Sequence, residues 1–236
     1  MRTKENTIKW DDDNPKTGGV TGISITPLYS CPKDAPCFID SLKAIKEGKR
    51  PICYYLRGNY FEGGTIKNGL QNDSKMKKAL HNWIIYRDNP EDYFKQIEEK
   101  ALLLSFFRYH DGGDIPNREY LEGMIRTAKK CKKTTFTAYT KQYNLINNYI
   151  MECGKLPKNL IIIFSKWESY PMNNPFSLPV FTAVKAEELP DKNSKTNYIC
   201  PCSYKTHKEH TCKDCIKENK GCYFAKKYQT IFEKLH

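Results

Sequence analysis

Between Leu102 and Trp167 the apolar and polar positions fall into blocks that predict parallel βαβ units. A continuous apolar run, Leu102 to Phe107, predicts a strand and stops at Arg108-Tyr109-His110-Asp111-Gly112-Gly113-Asp114. From Asn117 to Lys130, the residues Tyr120, Leu121, Met124, Ile125 and Ala128 share one helical face, and Asn117 stands where it can cap the first turn. Thr134 to Tyr139 predicts a second strand, Tyr143 to Cys153 a second helix stopped by Gly154, and Leu160 to Phe164 a third strand. Strands without a polar face, separated by helices of about a dozen residues, are those of a parallel sheet covered on both sides. Each strand runs out into polar residues: Arg108, His110, Asp111 and Asp114; Tyr139, Thr140 and Lys141; Ser165, Lys166 and Trp167. In parallel α/β sheets these C-terminal ends share one edge, where ligands bind.

The flanks carry weaker patterns. Gly22 to Thr26 alternates as a short strand, and Cys31-Pro32-Lys33-Asp34-Ala35-Pro36-Cys37 reads as a proline-stiffened loop before a short helix at Ser41 to Glu47. Asn72 to Tyr86 and Glu91 to Lys100 have helical spacing, the second primed by Asn89-Pro90. Trp83, Tyr86, Tyr93 and Phe94 are expected to pack these helices on the sheet. After a proline-punctuated loop, Val180 to Val184 predicts a further strand, and the charged stretch 185–196 a hinge. No internal repeat is present.

Composition narrows the class. The 236 residues, 39% hydrophobic and 28% charged, suffice for one sizeable domain with an appendage. No stretch approaches the roughly 20 apolar residues of a membrane span, so no membrane partner is expected. Met1 to Lys16 is polar, with Asp11-Asp12-Asp13, and lacks the apolar centre of a signal peptide, so the expected location is cytoplasmic. The net charge of +12 is compatible with a nucleic-acid partner. It comes mostly from lysines spread along helices, such as Lys75, Lys77 and Lys78 or Lys129, Lys130, Lys132 and Lys133, and an AT-rich genome yields the same bias.

The ten cysteines change the picture more. Reducing compartments disfavour disulfides, so clustered thiols there point to metal or redox chemistry. Cys31, Cys37 and Cys53 form an early group, in which Pro32 and Pro36 restrict the loop and lower the entropy cost of ligation. The alternative for these three is packing as small buried thiols. The tail holds five cysteines and two histidines within 23 residues: Cys200, Cys202, His207, His210, Cys212, Cys215 and Cys222. Cys212 and Cys215 can chelate from a single turn, and Cys200 or Cys202 with Cys222 completes four ligands. Structural zinc and a [4Fe–4S] cluster both accept four thiolates, and spacing does not choose between them. The two groups could also share one cluster. Cys131 and Cys153, at helix ends, read as structural. At the strand edge, Arg108, His110, Asp114 and Lys141 are the candidate catalytic groups. Gly112, Gly113, Asp114 and Tyr139 are the candidate ligand-binding ones, since glycines let a ligand approach the backbone. Arg108 with Asp111 reads equally well as a plain salt bridge.

A set of short motifs in order resembles the phage gene-product-88 domain family. They are Asn14-Pro15-Lys16-Thr17-Gly18; Cys31, Cys37 and Cys53-Tyr54; Phe107-Arg108 with Gly113-Asp114; Phe136-Thr137-Ala138-Tyr139-Thr140-Lys141; and Cys200-Pro201 with Cys212, Cys215 and Cys222. That resemblance implies a phage or mobile-element protein rather than a particular reaction. More distantly, the chain is similar to radical S-adenosylmethionine enzymes. That likeness implies a cluster with one open iron at Cys31, Cys37 and Cys53, contact of Gly112, Gly113 and Asp114 with the methionine end of S-adenosylmethionine, and an auxiliary cluster in the tail. The chain departs from the radical pattern: five and fifteen residues separate its early cysteines, where that pattern has three and two, and Asp114 replaces a glutamate.

The expected fold is α/β, a partial (β/α) barrel-like parallel sheet over residues 1–195, with a cysteine-rich metal-binding tail, 196–236, packed on it. The expected function is that of an iron–sulfur protein with one or two [4Fe–4S] clusters and a small-molecule ligand, radical S-adenosylmethionine-like if it is an enzyme. The alternative is a zinc-stabilised nucleic-acid-binding protein without catalysis.

Overall fold

Seven strands, Gly22–Ile23 (β1), Phe106–Tyr109 (β2), Thr135–Thr140 (β3), Leu160–Lys166 (β4), Val180–Val184 (β5), Asn197–Ile199 (β6) and Thr230–Lys234 (β7), form one sheet in the order β1-β2-β3-β4-β5-β7-β6. Every pairing is parallel. The chain is thus an α/β protein with a parallel sheet. The computed structural model describes residues 3–53, 55–56, 74–191, 193–206 and 208–235. Tyr54, His207 and the expected helix start at Asn72 lie outside the described residues.

The helices are Pro27–Ser30 (α1), Pro36–Lys46 (α2), Ser74–Asp88 (α3), Pro90–Ala101 (α4), Arg118–Lys130 (α5), Tyr143–Cys153 (α6) and Cys212–Lys217 (α7). The expected cap of α5 is present: the Asn117 side chain accepts from the Tyr120 N–H at 2.9 Å. Its apolar stripe, Tyr120, Leu121, Met124, Ile125 and Ala128, is buried. Gly123 lets α4 come close, because a Cβ there would lie 2.2 Å from the Phe94 ring. The helix expected at Ser41 to Glu47 is longer, because Pro36 can open it: a first-turn proline gives up no hydrogen bond.

The strand expected at Leu102 to Phe107 is displaced. Helix α4 runs through Ala101, Leu102 closes it, and the Leu104 N–H donates to the Ala101 carbonyl at 2.9 Å. Leu102 and Leu103 stand 62% and 83% exposed on that turn, and the strand is Phe106–Tyr109, with Arg108 inside it. An apolar helix end and an apolar strand start run together there, with only Ser105 between.

Strand pleating sorts side chains to two faces. Phe107, Tyr109, Phe136, Ala138, Leu160, Ile162 and Phe164 join one core with Tyr93, Ile97, Leu121 and Met124 of the helices. Ile161, Ile163 and Ile231 join a second core with Tyr198, Cys215 and Ala225 of the C-terminal segment. The sheet crosses the expected boundary at 195/196, since β7 inserts between β5 and β6. Among the described residues no helix is long and apolar enough to cross a membrane.

Candidate functional site

The three strand ends meet at one edge, as their polar residues predict, and Asp114 ties them together. Its Oδ1 accepts from the Ile115 N–H at 2.7 Å and the Thr140 hydroxyl at 2.5 Å, and its Oδ2 accepts from the Lys141 N–H at 2.9 Å. Burial pushes its carboxyl pKa up, against those bonds. The Lys141 ammonium donates to the Ser165 hydroxyl at 3.0 Å and lies 5.6 Å from the Trp167 ring centre. The Asp114 carboxylate is therefore engaged inside the protein, joining the end of β2 to the end of β3.

The two glycines before it are also taken up internally. A Cβ on Gly112 would lie 2.3 Å from the Tyr55 ring. One on Gly113, where φ is +92°, would lie 2.3 Å from the Ile25 carbonyl oxygen. The Gly112 N–H donates to the Ser24 hydroxyl (2.9 Å) and the Asp114 N–H to the Ser30 hydroxyl (3.1 Å), which docks the turn on the segment before Cys31. The close backbone approach expected of a ligand is thus made by the protein's own N-terminal segment.

Cys31, Cys37 and Cys53 come to this edge. Cys31 directly follows α1, and Cys37 lies in the first turn of α2. The Ser41 hydroxyl donates to the Cys37 carbonyl at 2.5 Å and accepts from the Cys53 N–H at 2.9 Å, which anchors the third cysteine to the second. Burial pushes the Cys31 thiol pKa well up, and the Asp114 carboxylate and the Cys53 and Cys37 thiols add to the rise. Cys37 is raised by burial, opposed by the Lys141 ammonium. Beside them a cavity of about 290 Å³ is lined by Asp34, Lys141, Gln142, Tyr143, Asn144, Tyr170 and Pro171. Asp34, Tyr143 and Tyr170 carry no sequence signal of this role. They read as loop or helix-start residues until the Tyr170 hydroxyl is seen donating to Asp34 at 3.1 Å and that of Tyr143 to the Ser165 carbonyl.

Arg108, Tyr139 and His110 go elsewhere. Arg108 forms an ion pair with Asp111 at 2.7 Å, its guanidinium 5.1 Å from the Tyr139 ring centre, and both face the C-terminal segment because the pleat puts them opposite Tyr109 and Ala138. His110 turns into the helix layer. Its backbone is left-handed (φ +62°), its Nε2 lies 3.0 Å from the Tyr120 hydroxyl, and burial pushes its pKa down to about 3. It is held away from the edge where catalysis was expected.

On the other face the tail cysteines gather. Thr211 and Asp214 form a capping box, with the Asp214 carboxylate accepting from the Thr211 N–H at 3.0 Å, so Cys212 and Cys215 sit on the first turns of α7. The Tyr139 hydroxyl donates to the Cys222 sulfur at 2.5 Å. The Tyr198 hydroxyl and His210 Nε2 lie 3.2 Å and 3.1 Å from the Cys215 sulfur. Burial pushes Cys212 to about 12, and Cys215 and Cys222 each to about 11. A hydrogen bond between the Cys200 and Cys202 thiols pushes the first up and the second down. The four positions that spacing predicts as ligands, Cys200, Cys212, Cys215 and Cys222, all feel one another's charge. Among the described residues, however, no group of three or more His, Cys, Asp or Glu side chains stands in a geometry that could hold a metal ion. Cys131 is buried in the helix core, and Cys153 is exposed beside Arg118.

Comparison with curated proteins and with solved structures found no match. A family model described as Gene product 88 matches residues 2–178, a span that holds the early cysteines, the strand-end edge and the Asn14 to Gly18 motif but stops before the tail cysteines. The chain belongs to the Gene product 88 family.

Proposed function

We propose that this chain is an iron–sulfur protein whose reactive centre lies at Cys31, Cys37 and Cys53, on the C-terminal edge of a sheet curled as a partial (β/α) barrel. One observation carries the reading: three thiols from separate parts of the sequence share an electrostatic neighbourhood with Asp114 and Lys141, beside a cavity. Three protein thiolates leave a fourth position for a small molecule. When bound, a [4Fe–4S] cluster supplies one-electron chemistry. The chain's own part is to fix the thiols through Ser41, to hold the strand ends through Asp114, and to offer the Lys141 ammonium to an anionic group of the ligand. The tail thiols form a second, closed site. Their fit to a metal rests on hydroxyl and imidazole groups aimed at their sulfurs, which are the partners a proton-free thiolate accepts from.

Anaerobically purified protein is expected to be coloured, to contain iron and sulfide, and to lose the signal of one cluster on Cys31→Ala/Cys37→Ala substitution. S-adenosylmethionine is the first ligand to test, by its effect on the electron paramagnetic resonance of the reduced protein. A cluster unmoved by it would remove the radical reading and leave the iron–sulfur one. A colourless protein holding zinc and no iron, even after reconstitution, would overturn both. That outcome would favour the second reading, zinc-stabilised nucleic-acid binding, which the +12 charge supports and which predicts binding that weakens steeply with salt.

A further inference from the structure

We infer that Lys16 and Arg108 are the counter-charges of the tail thiolate centre, and that the Asn14 to Gly18 motif exists to place the first of them. The inference rests on the tail cysteines being metal ligands, as proposed above.

The motif is a turn pinned at each end. The Asn14 side chain accepts from the Lys16 N–H at 3.0 Å and donates to Asp111 at 2.7 Å. At its other end Gly18, with φ +65°, packs so tightly on the cap of α7 that a Cβ would lie 2.5 Å from the Thr211 hydroxyl. Between these anchors the Lys16 ammonium reaches Glu233 on β7 in an ion pair. Arg108 arrives from β2, stacked on the same Tyr139 whose hydroxyl touches Cys222. Two cations from opposite ends of the fold thus flank one group of thiols.

Their effect follows from the charge that metal binding creates. When four thiols take a divalent ion, four S–H bonds break, four metal–sulfur bonds form, and four protons leave to solvent. The site passes from neutral to a net charge of −2, and a [4Fe–4S]²⁺ core on four thiolates carries the same −2. A fixed cation nearby therefore favours the loaded state whichever metal is held. Cys212 and Cys222 feel both cations. Cys200 and Cys202 feel Glu233 as well as Lys16, so that carboxylate works against loading. This opposition separates a counter-charge from a mere structural strap. As a strap, Lys16 and Glu233 would act together, and removing either would weaken the site. As a counter-charge, they act in opposite senses.

The test is cobalt(II) titration of the full chain carrying Cys31→Ala, Cys37→Ala and Cys53→Ala, read by sulfur-to-cobalt charge-transfer absorption. Lys16→Met is expected to weaken binding on the order of tenfold, Lys16→Arg to restore most of it, and Glu233→Gln to tighten it. Arg108→Met is expected to act in the same sense as Lys16→Met. Equal affinity of Lys16→Met and the parent, or weaker binding in Glu233→Gln, would overturn the inference while leaving the metal site standing. No cobalt bound by the parent would overturn the tail site itself. Should the triple background not fold, Glu233→Gln against Lys16→Arg in the intact chain reads the same signs on the tetrathiolate d–d bands.

Discussion

His110 holds its left-handed φ of +62° where most residues would relax, and it does so fully inside the helix layer. Its Nε2 meets the Tyr120 hydroxyl at 3.0 Å, and that hydroxyl meets Tyr93 at 2.8 Å. With no carboxylate among the causes of its shift, burial alone disfavours the imidazolium and takes the pKa from 6.5 to about 3. The unfolded chain then binds a proton that the folded chain refuses. Stability from this residue is complete above about pH 6.5 and is lost as pH falls toward about 3, at about 1.4 kcal/mol per unit. Urea unfolding at about pH 7.5 and pH 5 should differ by roughly 2 kcal/mol more in the parent than in His110→Asn, since asparagine tolerates the left-handed backbone without titrating. Identical pH dependence in the two proteins would refute the assignment. In the sequence this histidine looks like an acid or base at a strand end. Its true direction depends on a single positive φ, which residue type does not announce.

At the scale of elements, the turn from Gly112 to Asp114 does what a ligand was expected to do: it fills the space over its own backbone. Gly113 has φ +92° and the Ile25 carbonyl at 2.3 Å from a notional Cβ, whereas Gly154 has φ +84° with nothing within 4 Å. Gly154→Ala should therefore cost only backbone strain, about 1 to 2 kcal/mol. Gly113→Ala should cost that plus overpacking of roughly 1 to 3 kcal/mol, and should loosen Ser30 and with it the Cys31 loop. Thermal melts of the two variants, with metal content alongside, check the order, and equal costs would show that the Gly113 turn yields freely. The βαβ core was legible because its apolar runs are bounded by caps that residue type does announce, Asn117 and Gly154 among them. The run from Leu102 was not, because helix α4 and strand β2 meet through leucines that are exposed on a turn. The edge itself was legible from three polar strand ends. The inward turn of Arg108 and Tyr139 was hidden, because a one-residue shift of the strand start changes which side chains share a face.

For the whole molecule, the tail matters as much to the sheet as to the metal. The spacing of its cysteines marks a site but gives no hint that β7 slips between β5 and β6, a pairing set by contacts far apart in sequence. The same segment covers Ile161 and Ile163 with Tyr198, Ala225 and Ile231, and packs Tyr223 edge-on against Phe106 at 5.4 Å between ring centres. Without it, one face of the central strands would lie bare, and β5 would become an unpaired edge. A chain ending at residue 195 is thus expected to be insoluble or to bind hydrophobic dye as a loosely packed state, even though it keeps the early cysteines and every βαβ unit. Chelation of the tail metal in the full chain should be milder: β6 and β7 keep their hydrogen bonds, so circular dichroism should persist while the thiols become reactive to alkylation. If the 1–195 chain instead folds cooperatively and leaves the dye dark, the tail is an appendage after all, and the second core belongs to the metal site alone.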